Sequence, residues 1–294
     1  MRHVTVVRAS HPKLGIAWAL LALLAAGLAA QDPPAVERPN EASTRGLQDV
    51  PDQSSPLSRG RAALGERRME EAVVEFRQAV ADEPENAEAR VGLGRALALL
   101  GREGEAMEQY RLAADIDSSN AAARVGMGEV LRVQGEFDQA LHHLRAGIEL
   151  DPAAERARMA EVQVLHAQGR FREVLERLEE AHEVLPTSGL AAYGLAWTLA
   201  ASPDPSLRDG ERALDLGQAV FESHQSLPNA ELVAEALAEL DRCQKAAEWL
   251  RGVAGSIDAP EASPEIAARL QRGIERFEQG PPCRAVAEAV VADE

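Results

Sequence analysis

The chain has 294 residues, of which 46% are hydrophobic and only 3% aromatic, and it carries a formal net charge of −17. A core built from Ala, Leu and Val argues against a β-sandwich, which draws on β-branched and aromatic residues, and favours helices packed closely across small side chains. Lysine occurs only at Lys13 and Lys245; an acidic chain without a basic block repels phosphate backbones, so nucleic acid is not an expected partner.

The first thirty residues read as a targeting segment. Arg2, Arg8 and Lys13 make a positive start, Leu14 to Leu28 is an apolar run, and Gly27 with Ala29, or Leu28 with Ala30, offer small residues for cleavage. A signal peptide over 1–30 implies a periplasmic or secreted protein; the alternative is an uncleaved N-terminal anchor in the inner membrane. The apolar run is shorter than the roughly 20 residues a spanning helix needs, so after cleavage no membrane insertion is expected. Residues 31–55, rich in Pro, Asp, Glu, Gln and Ser, cannot bury enough surface to offset the entropy of ordering and read as a disordered linker.

From about residue 53 one spacing recurs every 34 residues. Gly135, Phe137, Ala140, Leu144, Gly147 and Pro152 are followed in register by Gly169, Phe171, Val174, Leu178, Ala181 and Pro186; Gly101, Ala106, Tyr110 and Ala113 precede them, and Ala72, Phe76, Ala79 and Pro84 come one step earlier still. A period of this length marks a solenoid of stacked helix pairs. Ala72, Ala106 and Ala140 stand where a second helix comes closest to the first and a larger side chain would push the two apart; Gly94 and Gly128 play that part on the first helices. Phe76, Tyr110, Leu144 and Leu178, four residues later, share the face that fills the space between pairs. Pro84, Pro152 and Pro186 fall at helix ends.

These residues and this period resemble the tetratricopeptide repeat (TPR) family, a two-helix unit of thirty-four residues. The resemblance covers blocks at about 53–86, 87–120, 121–154 and 155–188. It implies an all-α fold: a right-handed α-solenoid of about six helix pairs plus a C-terminal capping helix, spanning 56–280. Two departures stand out: Arg59 occupies the place of a core leucine, and Glu161 with Val162 replaces a Leu-Gly pair.

After Pro186 the spacing breaks once. A fifth pair over about 189–226 has its second helix displaced, with Ala213 arriving five residues late; Pro203 and Pro205 lengthen the loop, and Ser206 is the expected cap of that second helix. A sixth pair covers about 227–260, and 263–279 reads as an amphipathic closing helix on the stripe Ile266, Leu270, Ile274 and Phe277, because a solenoid must cover its last apolar face. Residues 281–294 are a flexible tail. In an exported chain Cys243 and Cys283 have one possible intramolecular pairing, a disulfide pinning the cap; two free thiols in a reducing environment are the alternative.

No nucleotide-binding loop, H-E-x-x-H, G-x-S-x-G or C-x-x-C motif is present. His142 and His143, adjacent in sequence, diverge on a helix and do not form an i, i+4 metal pair. No enzyme activity, metal or cofactor is expected. What remains is the inner face, which in the resembled family is lined by first helices and contacts a peptide or protein partner. Carried over position by position, it comprises Arg61, Arg95, Glu129, Gln163, Trp197 and Glu235, flanked by Val91, Val125, Arg132, Met159, His166 and Tyr193; Gly92, Gly126, Ala160 and Gly194 would let a ligand approach the backbone. Arg61 and Arg95 suit an acidic stretch of peptide and Trp197 with Tyr193 an apolar anchor, with Glu231 and Glu235 at the far end; the alternative is that Trp197 belongs to the core and the arginines are simply solvated. The expected function is a non-catalytic protein–protein interaction scaffold in the bacterial cell envelope, the alternative an accessory subunit of an envelope-biogenesis or cytochrome-maturation enzyme complex.

Overall fold

Helices start and stop where the repeat supplies caps and turns. The structure, a computed structural model, describes residues 55–254, 264–280 and 283; the signal peptide over 1–30, the linker up to Ser55 and the tail apart from Cys283 lie outside the described residues. Six helix pairs follow one another: α1 (Pro56–Gly65) with α2 (Met69–Asp82), α3 (Ala87–Leu99) with α4 (Glu103–Ile116), α5 (Ala121–Gln134) with α6 (Phe137–Leu150), α7 (Glu155–Ala167) with α8 (Phe171–Val184), α9 (Gly189–Ala201) with α10 (Gly210–Ser223), and α11 (Leu227–Glu239) with α12 (Cys243–Val253). A thirteenth helix, α13 (Pro264–Glu278), closes the stack, and no strand occurs among the described residues. The fold is an all-α solenoid.

The first helix of most pairs is capped by a side chain that accepts from the backbone N–H three residues on: Ser55 from Ser58, Asn86 from Ala89, Asn120 from Ala123, Ser188 from Ala191 and Ser226 from Asn229. At the equivalent place before α7 stands Ala154, which has no side chain to offer. Each of these first helices but α9 ends in the same turn. The N–H groups of Arg68, Arg102, Glu136, Arg170 and Arg242 donate to the carbonyls of Ala63, Leu97, Leu131, Leu165 and Leu237 at 2.8 or 2.9 Å, the six-to-one bond that closes a helix through a left-handed residue. That residue is Gly101, Gly135 and Gly169 in three turns, but Arg67 (φ +59°) in the first and Asp241 (φ +55°) in the last. A Cβ in that region is strained, so the outer two turns carry a cost the middle three avoid.

Between pairs, a large side chain from a second helix plugs into glycines of the first helices on either side. The Phe76 ring lies against Gly60 and Gly92, and the Tyr110 ring against Gly94 and Gly126; Leu144 fills the space over Gly128, and Leu178 that over Gly194. Phe76, Leu144 and Leu178 are essentially fully buried. Gly92, Gly126 and Gly194 are therefore taken up by the protein's own side chains, which corrects the expectation that they open the backbone to a ligand. A Cβ at Gly92 or Gly126 would collide with the ring already there. Arg59 does not enter the core; it lies on the surface and pairs with Glu75 at 2.7 Å. Glu161 does enter, only 3% exposed, and accepts from Arg145 Nε at 2.7 Å, so its burial is compensated.

The late second helix of the fifth pair is explained by a 3-10 turn over Pro205–Leu207. Its cap is Asp204, to whose carboxylate Ser206 donates at 2.7 Å. Ser206 is thus not the cap of α10, as the sequence suggested: that role falls to Asp209, which accepts from the Arg212 N–H, because the turn consumes Ser206 before the helix begins. At the C-terminal end, Ile274 and Phe277 of α13 join the core, and Cys243 and Cys283 are bonded as a disulfide with a Cα–Cα distance of 5.6 Å.

Candidate functional site

First helices approach one another directly, α1 with α3, α3 with α5, α5 with α7, α9 with α11 and α11 with α13, whereas no two second helices pack to a comparable extent. The first helices therefore take the shorter, inner arc of the stack and the second helices the outer one. Every groove candidate named from the sequence sits on a first helix.

Those side chains divide into committed and uncommitted groups. Arg61 of α1 pairs with Glu88 of α3. Glu129 of α5 is clamped in two-pronged fashion by Arg156 of α7, with Arg156 Nε 2.5 Å from one carboxylate oxygen. At the far end, Glu231 and Glu235 of α11 are met by α13: Arg269 Nε lies 2.6 Å from Glu231, and an Arg276 terminal nitrogen 2.5 Å from Glu235. Burial pushes both carboxyls up, and the facing arginines only partly offset it. The acidic end of the groove is thus occupied by the protein's own closing helix.

Tyr193 is 4% exposed and packs with Ala196, Val220 and Leu232, so it is not part of a ligand-facing surface. Trp197 stacks on it at 6.3 Å between ring centroids and stays half-buried. Gln163 is half-buried. His166, edge-on to Phe171 at 5.3 Å, has its pKa pulled down by burial to about 4 and is neutral near pH 7. Arg132 is half-buried with its Nε lacking a hydrogen-bond partner.

Arg95 differs from the other charged candidates. It is exposed on α3, makes no ion pair among the described residues, and has its pKa lowered by partial desolvation and then by the charge of Arg156. It borders a half-open cavity of about 200 Å³ lined mostly by apolar side chains of α3, α5 and α7, including Val91, Val125 and Ala122, together with Tyr110 of α4. Burial pushes the Tyr110 phenol up, so it remains protonated.

The sequence reading missed Glu88, Ala122 and Arg156, which stand second in their repeats on this same face. The 34-residue period was enough to place them, but their part in the site depends on which side chain of the neighbouring helix each one meets. Among the described residues no cluster of three or more His, Cys, Asp or Glu side chains could hold a metal ion, and no helix is long and apolar enough to cross a membrane.

Stacked helix pairs with a lined inner arc and a closing helix define the class: an α-solenoid of two-helix repeats. The tetratricopeptide repeat family model matches residues 57–121 and 125–173, from α1 into α8, so this part of the chain is built of tetratricopeptide repeats. Similar solved structures include YrrB, described as a TPR protein with an unusual peptide-binding site, at 19% identity and a TM-score of 0.51 over 67% of this chain and 97% of that one. Another is PilF of Pseudomonas aeruginosa, at 19% identity and a TM-score of 0.59 over 75% of this chain and 97% of that one. At such identities the likeness is one of fold. A comparison with curated proteins gave no match.

Proposed function

We propose that the protein is a non-catalytic interaction scaffold of the bacterial cell envelope that binds a peptide or partner protein along its inner face. The observation that carries this reading is that the inner face keeps polar side chains which the packing does not consume, Arg95 and Gln163 above all, with Trp197 half-buried on the first helix of the fifth pair. YrrB, of the same fold, is described as carrying a peptide-binding site, so the architecture accommodates such a ligand. The envelope placement rests on the N-terminal targeting pattern and on the Cys243–Cys283 bond, which suits an oxidising compartment.

A photo-crosslinking residue at Gln163, on the inner arc, and one at Glu108, on the outer, tests the reading in cells. Crosslinks to a partner from position 163 and not from 108 are expected; crosslinks confined to 108 would sink the inner-face assignment. Recovery of the chain in the cytoplasmic fraction with its presequence intact would remove the envelope.

A further inference from the structure

Two ion pairs of the inner face share one spacing. The ninth residue of one repeat meets the second residue of the next, 27 positions on: Arg61 meets Glu88, and with the charges reversed Glu129 meets Arg156. Between these two rungs lies Arg95, whose counterpart 27 residues later is Ala122. Alanine offers no carboxylate, so Arg95 has no ion-pair partner among the described residues, and Ala122 lines the cavity beside it. Of the other charges around that cavity, Glu129 and Arg156 hold each other, while Asp151 accepts only from the Ala153 N–H at 3.1 Å.

We propose that this empty rung is the specificity pocket of the inner face: Arg95 takes an Asp or Glu side chain of an extended peptide, and the cavity over Val91, Val125 and Ala122 takes an adjacent apolar side chain. The inference rests on the peptide-binding reading and deepens it. Charge complementarity selects the acid, since Arg95 makes no ion pair among the described residues and can hold a carboxylate with two N–H groups. Size and lining select the apolar neighbour. At about 200 Å³ the cavity is smaller than the roughly 300–1,000 Å³ typical of small-molecule sites, and it has room for one side chain of a longer ligand.

The test is selection of a phage-displayed random decapeptide library on the complete disulfide-bonded protein, on Ala122→Glu and on Arg95→Gln. Sequences enriched on the natural protein are expected to carry an apolar residue next to Asp or Glu. Ala122→Glu completes the missing rung from within. It should leave the melting temperature unchanged or raised while weakening a selected peptide about ten-fold or more, because one charge-assisted contact is lost; Arg95→Gln should weaken it similarly. Enriched peptides without the acidic–apolar pair, or peptides indifferent to both substitutions, overturn the pocket and leave binding elsewhere on the inner face standing. No enrichment at all overturns peptide binding together with the pocket.

Discussion

The stack from α1 to α8 and the end formed by α11 to α13 solve the same problem by different means. In the regular stack each pair presents to the next the interface it receives from the one before, so Phe76, Tyr110, Leu144 and Leu178 repeat one plug against small residues. At the end there is no further pair to receive. Closure there uses a disulfide, two apolar side chains from α13, and two arginines laid over glutamates whose pKa values burial raises. A repeat interface extends without limit, whereas an end needs its own solution.

The sharpest way to break this contrast is Phe76→Ala. Removing a fully buried aromatic plug is expected to cost about 3–5 kcal/mol in urea unfolding; a loss below about 1 kcal/mol would mean the glycine-facing rings do not hold the stack. Replacing Cys243 and Cys283 together by serine should cost about 2–4 kcal/mol. That loss is expected to be local: hydrogen exchange should show α12 and α13 losing protection while α3 to α6 keep theirs. Uniform loss would unite the two regions instead of separating them.

A third test reaches the regular stack through pH. His166 has its folded pKa depressed to about 4, against an ordinary value near 6.5. Its contribution is therefore fully present above about pH 6.5 and declines as pH falls toward 4, by at most about 3 kcal/mol. Unfolding midpoints measured across that window should slope for the natural protein and flatten for His166→Gln; equal slopes would show that carboxylates, not this imidazole, set the acid sensitivity.

Smaller effects sharpen the account of the regular part. Ala154→Asn should supply the cap that Asn120 and Asn86 provide one and two repeats earlier, stabilising α7 by about 1 kcal/mol. Arg67→Gly should relieve the left-handed strain of the first turn by a few tenths to about 1 kcal/mol. Thermal melts of both variants check the sign; destabilisation by either would show that the register of caps and turns does not carry energy across repeats.

Much of the fold was legible because its determinants are local and recur. Asparagine or serine before a first helix, glycine after it and an aromatic or leucine four residues past an alanine each fix a cap, a turn or a buried face by sequence distance alone. Where the determinant was local but ambiguous, the reading slipped: Ser206 and Asp209 are both capping residues, and only the 3-10 turn decides that Ser206 is used within it. The site was less legible. Its face followed from the period, but whether an arginine on that face is free depends on the residue opposite it in the next repeat.

The sequence by itself thus determined the all-α repeat, its pairs and the face each side chain points to, because these depend on neighbours a few residues away. Only the tertiary structure decided that Gly92 and Gly126 are filled by Phe76 and Tyr110, that Tyr193 is core, that α13 covers Glu231 and Glu235, and that Arg61 is spent while Arg95 is not. Those outcomes are settled between helices 16 to 41 residues apart along the chain, where proximity comes from packing and not from sequence distance.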